Sequence, residues 1–534
     1  MIRRLLLTAL AAASLTMPAP VLAQSSDNGG SAEAEIFMSA LEYIQRMHMQ
    51  TYSDSTLWTK ALDGLIEDLG DPYAAVFTPV EVEEFQEETT GNYAGIGVSI
   101  SQLNDQVTVT TVFRGTPAAQ AGLLVGDVIV GVNQHDATGW TTTMASDSIR
   151  GPAGSPVDVR IRRDGQRQPL AFTLQRDSVH VSAVQSGVLP GDIGFIVLDR
   201  VARNSSDELM AALDSLADTR GIILDLRRNP GGYLDESLVM ADIFLGRGKV
   251  LATTRNRDAR NPSLMEEESY RGRMRPRVPD KPIIILVDQY TASAAEIVTG
   301  ALQDYDRALV LGDRTFGKGI VQSVVDLPYG RKLRITTGSW HTPLGRSLHR
   351  ERDAGGTLAA ENLDTIANVA TPTGRALKAG GGIFPDLMIE EDTVSTTVRE
   401  LIAAVNEKQI QLALREAEAS FGRAQTLRDG RQAPSVDDAT FDAYVKGLVD
   451  AGLPADLVAK PEIQTYLRWR LYVSVADRLE NFPAATVARM ERDNVLSRAV
   501  EMMRNATTQQ DLFTAAARAK AEATANGGRA GDQR

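Results

Sequence analysis

Three apolar runs in the middle of the chain, each followed by a helical pattern, set the fold class of that region. A continuous apolar run bounded by turns is typical of a buried strand, and strands that alternate with helices predict an α/β domain. The pattern comprises strands at 193–198, 221–227 and 282–288 and helices at 205–216, 235–245 and 294–303. We therefore expect an α/β domain over about residues 190–340.

Residues 91–178 instead show short alternating strands between glycine-rich turns. The string FRGTPAAQAGLLVGDVIVGVNQ within them resembles a PDZ domain of the bacterial type found in exported proteases, with YAGIGV in the place of the carboxylate-binding loop. The resemblance implies that consecutive backbone N–H groups bind the terminal carboxylate of an extended peptide. Taken alone, this loop is more typical of a simple turn, and it is the GTPAAQAGL…GD string after it that favours a PDZ domain. Its residues are Ala94, Gly95, Ile96 and Gly97.

The two ends of the chain have helical patterns. Apolar residues at helical spacing predict helices over 33–70, and residues 395–520 are almost entirely helical in pattern. For the C-terminal region, a structural or dimerising role is favoured over binding of a substrate or an adaptor. The last residues, 521–534, are rich in Ala, Gly and Arg and are expected to be disordered.

Composition excludes several classes of chemistry. The 534 residues include no cysteine and five histidines, so disulfides, thiolate nucleophiles and Cys-ligated zinc are excluded. No HExxH pair occurs, which excludes a zincin-type protease. A formal net charge of −13 argues against nucleic acid as the main partner. We expect no metal and no cofactor.

Residues 1–23 have the features of a secretory signal. Arg3 and Arg4 are followed by an apolar stretch over 5–15 and a small-residue cleavage site that ends at Ala23. A membrane anchor is the alternative, but the apolar run is short and two prolines follow it. No later segment reaches about 18 uninterrupted apolar residues. The sequence therefore predicts an exported, periplasmic protein without an integral membrane span.

The segment TASAAE places Ser293 after the buried strand and at the start of a helix. There the N–H of Ala294 and the positive end of the helix dipole would face a developing oxyanion. Such a serine suits a nucleophile, although an N-cap serine is also typical of this position.

The segment GDRTFGKGIVQ places Lys318 between Gly317 and Gly319, which let the backbone bend closely around it. A lysine acts as a general base when desolvation lowers its pKa toward neutrality; an ordinary turn lysine is the alternative. Gln322 would orient the amine. Because a straight strand would separate the two residues by roughly 13 Å, this role requires a local turn.

A third segment, DLRRNPGGYLDES, ends a strand with a Gly-Gly turn into a helix. Gly231 and Gly232 allow a backbone N–H to approach a substrate carbonyl and act as a second oxyanion donor. A strand–helix loop that needs glycine for its geometry gives the same pattern, and both explanations can hold at once.

Together these segments resemble the carboxyl-terminal processing (tail-specific) protease family of PDZ-containing Ser-Lys serine peptidases. The resemblance covers about residues 35–390 and includes LGDPYAAVFTP, DLRRNPGG, TASAAEIVTGALQD, GKGIVQ and TPLGRSL. It implies a nucleophile, a general base and an assisting glutamine, which are Ser293, Lys318 and Gln322. The implied oxyanion donors are Gly231 or Gly232 together with Ala294. Glu296 is expected to complement the helix N-terminus.

The resemblance also implies the architecture, a multidomain α/β fold with a ClpP/crotonase-like protease core, an inserted β-rich PDZ domain and helical regions at both ends. The expected segments are a signal peptide (1–23), an N-terminal helical segment (33–90), a PDZ domain (91–178), a protease core (179–392), a C-terminal helical region (393–520) and a disordered tail (521–534). A polar insertion at 351–378 carries a second copy of the TPxGR element and is not expected to touch the catalytic residues.

The predicted activity is that of an exported serine endopeptidase that cuts proteins near their C-termini and holds those ends in its PDZ domain. Its substrates would be proteins or peptides with extended C-termini; partnership with a second copy or an adaptor protein stays open. The main alternative is an inactive PDZ-containing scaffold of the same fold. It is disfavoured because the serine, the lysine and the glutamine are all present. A chymotrypsin-like triad is excluded because no GxSGG segment occurs.

Overall fold

The computed structural model describes residues 29–113, 115–163, 165–258, 261, 263–353, 355–390 and 394–531. The signal sequence predicted at 1–23 lies outside the described residues. The chain divides into two units between Leu69 and Gly70. Within the described part of the chain, no helix combines the length and the apolar character needed to cross a bilayer.

The first unit contains two helices, α1 (Gly29–Met47) and α2 (Asp54–Asp68), in the segment where apolar spacing predicts helices. The hydroxyl of Ser53 caps α2 by accepting a hydrogen bond from an N–H of its first turn, at 3.2 Å. The rings of Phe37 and Trp58 lie 6.0 Å apart and connect the two helices.

The second unit opens with a short strand, β1 (Ala75–Phe77), and a helix, α3 (Pro79–Thr90). A reciprocal capping box starts α3. The hydroxyl of Thr78 accepts a hydrogen bond from the N–H of Glu81, and the Glu81 carboxylate accepts one from the N–H of Thr78. The chain thus enters the helix in a fixed direction directly after β1.

Residues 92–180 form the predicted β-rich region. Its elements are β2 (Asn92–Gly95), β3 (Val98–Leu103), β4 (Gln106–Val112), α4 (Pro117–Ala121), β5 (Val128–Val132), β6 (His135–Asp136), α5 (Thr142–Ile149), β7 (Pro156–Arg162), β8 (Leu170–Gln175) and β9 (Asp177–His180). An antiparallel sheet runs in the order β3-β4-β5-β7-β8, with β6 on β5. The ribbon of β2 and β9 joins both ends of this region to the rest of the chain.

The elements of the α/β region alternate as the apolar runs predict. They are β10 (Val184–Leu189), β11 (Ile193–Leu198), α6 (Ser205–Ser215), β12 (Gly221–Asp225), α7 (Leu234–Leu245), β13 (Val250–Arg257), β14 (Met265–Arg271), β15 (Ile283–Val287), α8 (Ala294–Asp304), β16 (Leu309–Gly312), β17 (Ile320–Asp326), β18 (Lys332–His341), β19 (Asn368–Ala370), β20 (Ala376–Lys378) and β21 (Leu387–Met388).

These strands form two principal sheets. The first has the order β10-β11-β12-β15-β16-β21 and is parallel from β11 onward. The second has the order β1-β18-β13-β14, with β17 also paired to β18. Because parallel strands carry their loops at their carboxyl ends, the loops after β12 and β15 lie at one edge of the first sheet.

The C-terminal region is helical, as predicted. Its helices are α9 (Thr396–Glu407), α10 (Leu412–Asp429), α11 (Asp438–Asp450), α12 (Ala455–Val458), α13 (Pro461–Arg478), α14 (Phe482–Met490), α15 (Asn494–Arg504) and α16 (Gln509–Gly531). Helix α16 continues past residue 521, where we expected a disordered tail to begin. Its sequence is rich in alanine, the strongest helix former, which accounts for the continuation.

Two separate layers of helices cover the parallel sheet. One face packs on α6, α7 and α8, and the other face packs on α15 and α16 through side chains such as Met503 and Leu512. The last two helices therefore complete the core of the α/β region, although they follow it by more than a hundred residues. Helices α9 to α13 have a core of their own.

The two TPxGR elements form the same turn. In each, the arginine carbonyl accepts a hydrogen bond from the threonine N–H, and the threonine hydroxyl accepts one from the arginine N–H, for Thr342 with Arg346 and for Thr371 with Arg375. Both arginines reach the C-terminal end of α8. Arg346 pairs with the buried Asp304 at 2.6 Å. The turn is thus repeated in structure as well as in sequence.

Candidate active site

Ser293 lies in the turn between β15 and α8 with φ +53° and ψ −116°. A positive φ is uncommon for a residue that has a Cβ, so the surrounding structure must hold it. Every residue of α8 is buried, which leaves the turn little freedom to relax. A strained strand-to-helix turn is the geometry that presents a nucleophilic serine in hydrolases.

The carboxylate of Glu296 ties this turn to the loop that carries Lys318. Its Oε2 accepts hydrogen bonds from the N–H groups of Ser293 and Lys318, both at 2.8 Å. Its Oε1 accepts from the N–H of Gly317 at 2.8 Å and from the hydroxyl of Thr315 at 2.5 Å. Full burial raises the pKa of Glu296, against the opposing effect of these donors. The residue therefore does more than complement the helix N-terminus.

Lys318 lies two residues before the start of β17, in a loop that depends on both flanking glycines. Gly317 has φ +79°, and a Cβ on Gly319 would lie 2.6 Å from the backbone nitrogen of His349. Burial, followed by the positive charge of Arg334, lowers the pKa of Lys318 to about 8. A lysine with this pKa is partly neutral near physiological pH and can accept a proton.

Gln322 and Lys318 are in direct contact. The amine Nζ donates to the amide Oε1 of Gln322 at 2.9 Å. The distance expected for a straight strand does not apply, because Lys318 precedes β17 and the β17–β18 register shifts between Val321 and Gln322. The amide nitrogen of Gln322 donates to the carbonyl of Tyr73 at 3.0 Å, which fixes the orientation of the amide.

The Gly-Gly turn after β12 packs against the serine turn. Gly231 has φ +93°, and a Cβ there would lie 2.8 Å from both the Ala294 nitrogen and the Ser293 Cβ. The N–H of Gly231 donates to the side-chain oxygen of Asn229 at 2.9 Å. The N–H groups of Gly232 and Ala294 have no hydrogen-bond partner among the described residues. Two free donors are therefore close to the serine.

A cavity of about 1300 Å³ joins these groups. Its lining includes Ser293, Ala294, Gly231, Gly232, Lys318 and Gln322. Apolar side chains form another part of the wall, among them Leu234, Leu238, Ile297, Ile320 and Trp340. Within the described chain no histidine lines this cavity. A hydroxyl, an amine of lowered pKa and two free N–H donors are the groups that acyl transfer requires.

The loop at 94–97 is divided between a strand and a turn. Ala94 and Gly95 belong to β2, which pairs with β9. Gly97 has φ +83°, and a Cβ there would lie 2.2 Å from the side chain of Thr116. The N–H groups of Ile96 and Gly97 donate to no other residue that the structure describes.

The insertion at 351–378 contacts the loop before Lys318. Arg352 donates to the carbonyl of Phe316 at 3.1 Å, and its guanidinium lies 3.6 Å from the centre of the Phe316 ring. The insertion was expected not to touch the catalytic residues, and in the described chain it forms no hydrogen bond with Ser293, Lys318 or Gln322. It does support the backbone immediately before the lysine.

Two further residues lie near Lys318, and the sequence analysis assigns neither of them a role. The ring centre of Tyr73 lies 4.8 Å from the amine, and Arg334 shares the Tyr73 carbonyl with Gln322. Their sequence signal is the string LGDPYAAVFTP, which contributes to the family resemblance without indicating a role.

Comparison with protein-family models identifies two regions. The model of peptidase family S41 matches residues 192–355, and a PDZ domain model matches residues 94–174. A "Carboxy-terminal-processing protease" of Bartonella bacilliformis is 32% identical over 342 residues, which are 63% of this chain and 77% of the relative. A "Probable CtpA-like serine protease" of Staphylococcus epidermidis is also 32% identical over 342 residues, 63% of this chain and 68% of the relative.

Solved structures with some likeness include a photosystem II D1 C-terminal processing protease. It is 24% identical with a TM-score of 0.34, and the match covers 68% of this chain and 90% of that one. The PDZ domain of a carboxy-terminal protease from Vibrio cholerae is 29% identical with a TM-score of 0.16, over 17% of this chain and 99% of that domain. The assignment to a family rests on the sequence matches.

Proposed function

The chain belongs to peptidase family S41, the carboxy-terminal-processing proteases, and we propose that it cuts proteins near their C-termini with Ser293 as nucleophile and Lys318 as general base. That it is a serine peptidase follows from the family. The observation that carries the proposal is the carboxylate of Glu296, which binds the backbone N–H groups of both residues. One buried group thus sets the relative position of the two loops.

The reaction begins with proton transfer. Neutral Lys318 takes the hydroxyl proton of Ser293 as Oγ attacks the peptide carbonyl, and the resulting ammonium gives that proton to the leaving amine as the C–N bond breaks. Water then attacks the acyl-enzyme and transfers a proton to Lys318. The resulting ammonium returns that proton to Oγ of Ser293 as the C–Oγ bond breaks and the new carboxyl end is released. Gln322 accepts a hydrogen bond from the amine and so keeps it aimed during both steps.

Two backbone N–H groups stabilise the tetrahedral oxyanion in this proposal. We assign them to Gly232 and Ala294, because the N–H of Gly231 is already bound to Asn229. Gly231 supports the site in another way, since it has no Cβ and therefore allows the two donor segments to approach. Preorganised donors of this kind contribute a large share of the rate enhancement in acyl transfer.

We assign recognition of the substrate C-terminus to the PDZ domain. The free N–H groups of Ile96 and Gly97 suit a terminal carboxylate, which is the group that PDZ loops bind. The ribbon that leads into the PDZ domain contributes Asn92 and Tyr93 to the wall of the active-site cavity. A bound C-terminus would therefore hold the substrate chain within reach of Ser293.

Export completes the proposal and rests on residues 1–23. N-terminal sequencing of the protein recovered from the periplasm of a two-membrane cell should begin at Gln24. Recovery of uncleaved protein from the cytoplasm would contradict export.

Digestion of casein by wild type, Ser293→Ala and Lys318→Ala tests the catalytic assignment, with fragments identified by mass spectrometry. We expect cleavage by the wild type and none above background by either variant. Both variants should keep the wild-type melting temperature within a few degrees, because each removes a side chain that faces the cavity. Equal activity of all three proteins would mean that the catalytic site lies elsewhere.

A further inference from the structure

A seven-residue segment that follows the boundary of the first unit is bound at both ends to β18, the strand beside Lys318. We call residues 71–77 the strap. At its start the carboxylate of Asp71 accepts hydrogen bonds from the N–H groups of Tyr73 at 3.0 Å and Thr336 at 3.2 Å. At its end β1 pairs with β18, from Ala75 opposite Arg334 to Phe77 opposite Lys332. Both ends of the strap are therefore held by β18.

Between these anchors, Tyr73 faces Lys318 with its ring and binds two neighbours of the amine with its carbonyl. Its carbonyl accepts hydrogen bonds from the Gln322 amide and from Nε of Arg334, both at 3.0 Å. Its ring centre lies 4.8 Å from Nζ of Lys318. Its hydroxyl is buried and has no partner among the described residues, so the ring and the carbonyl make the contacts to this site.

Several charged groups face the amine. Arg334 on β18 disfavours its protonation, whereas Asp71 in the strap and Glu296 on α8 favour it. Burial raises the pKa of the Tyr73 hydroxyl, and the positive charge of Arg352 in the insertion opposes this rise. Burial is nevertheless the largest influence on the pKa of Lys318 and lowers it. Groups that exclude water from the amine therefore decide its protonation more than any single charge does.

We propose that Tyr73 is a positioning residue of the protease, whose ring keeps water from the Lys318 amine and whose carbonyl fixes the Gln322 amide that holds it. This proposal rests on the proposed role of Lys318 as general base. The strap is then part of the catalytic machinery, since without it the amine would be hydrated and its neutral fraction near physiological pH would be smaller. Attraction between an ammonium and the ring opposes this effect, but such attraction is small beside the loss of hydration.

The pH dependence of kcat/KM on a peptide substrate tests the proposal. In Tyr73→Ala the acid limb should move to higher pH by about one unit, so that activity near neutral pH falls about tenfold and is recovered at alkaline pH. Tyr73→Phe should keep the limb at its wild-type position. Arg334→Met, which removes the guanidinium held by the same carbonyl, should shift the limb in the same direction as Tyr73→Ala.

Tyr329→Ala is the matched control, because Tyr329 is fully exposed at the tip between β17 and β18. Its pH profile should coincide with that of the wild type. A uniform loss of activity in Tyr73→Ala and Arg334→Met with unmoved acid limbs would overturn the proposal and leave Tyr73 a merely structural residue. The Lys318→Ala variant distinguishes a failure of the general-base assignment from a failure of the strap proposal. Full activity of that variant would overturn the general-base assignment itself, whereas its inactivity beside an unmoved limb in Tyr73→Ala would overturn the strap proposal alone.

Discussion

At the scale of single residues, Glu296 explains how a serine and a lysine from distant segments come to one site. It accepts four hydrogen bonds from groups on the serine turn and the lysine loop, and it is fully buried. A carboxylate can accept all four, whereas an amide of the same shape offers one oxygen and two N–H donors. The requirement is therefore for an acceptor and not merely for a side chain of that volume.

We therefore expect Glu296→Gln to be both less stable and less active. The amide nitrogen would face N–H donors and leave some of them unsatisfied, at about 2 kcal/mol of unfolding free energy. Displacement of either loop should lower kcat by about 10²-fold with a smaller change in KM. Urea unfolding and steady-state kinetics measure the two effects. The control is Glu501→Gln on the surface of α15, and wild-type kcat in Glu296→Gln would contradict the assigned role.

The pKa of Lys318 predicts a pH profile. The base must be neutral to accept a proton, so kcat/KM should rise with pH through about 8 and level off above it. Two units below that limb, activity should be roughly a hundredfold below the plateau. Lys318→Arg should be inactive throughout, because guanidinium stays protonated. A flat profile between pH 6 and 10 would be incompatible with this base.

At the scale of structural elements, α8 is held at both ends. Its first turn is bound through Glu296 to the lysine loop, and its last residue, Asp304, is paired with Arg346 of a TPxGR turn. The second such turn places Arg375 against the neighbouring Asp306. A helix fixed at both ends keeps the N-terminal turn, and with it Ser293, in a strained conformation.

The Gly-Gly turn after β12 gives a test at this scale. In Gly231→Ala the new methyl group would meet the Ala294 nitrogen and the Ser293 Cβ at 2.8 Å and would push the two turns apart. We expect kcat to fall about 10²-fold. Gly248→Ala is the matched control, since Gly248 also has a positive φ but opens onto free space. It should lose stability of about 1 kcal/mol and no activity. Equal kcat values for both variants would contradict the proposed proximity of the turns.

The sequence predicts the elements of this region better than their contacts. The apolar runs of β12 and β15, followed by helical patterns, are local signals, and the strand-to-helix position of Ser293 follows from them. The role of Tyr73 does not, because its partner Gln322 lies 249 residues away along the chain. Glu296 resembles any acidic residue at a helix N-terminus until the loop at 315–318 is folded against it.

At the scale of the whole molecule, the C-terminal helices contribute to two separate hydrophobic cores. Helices α15 and α16 form one layer of the protease core, so the core does not end at residue 392. Their amphipathic patterns predict a buried face but do not identify the surface that covers it. Helix α10 reaches the PDZ domain, where Glu418 accepts a hydrogen bond from the N–H of Asn104 at 3.1 Å. The PDZ domain is thus in contact with the C-terminal region.

The proposed recognition of C-termini predicts a dependence on the terminal carboxylate. For an extended peptide, amidation of its C-terminus should lower kcat/KM about tenfold, because charge-assisted hydrogen bonds to the PDZ loop are lost. In Gly97→Ala the new methyl group would clash with Thr116, so the free and amidated peptides should be cut at similar rates. Equal cleavage of both peptides by the wild type would exclude this role of the PDZ loop.

Covalent labelling with a fluorophosphonate tests the assignment of Ser293 as a nucleophile that Lys318 activates. The adduct can be located by peptide mapping and its rate followed with time. We expect an adduct on Ser293 in the wild type, no adduct at that site in Ser293→Ala, and labelling about a hundredfold slower in Lys318→Ala, which loses the general base. An adduct on a different serine, or an unchanged labelling rate in Lys318→Ala, would contradict this assignment.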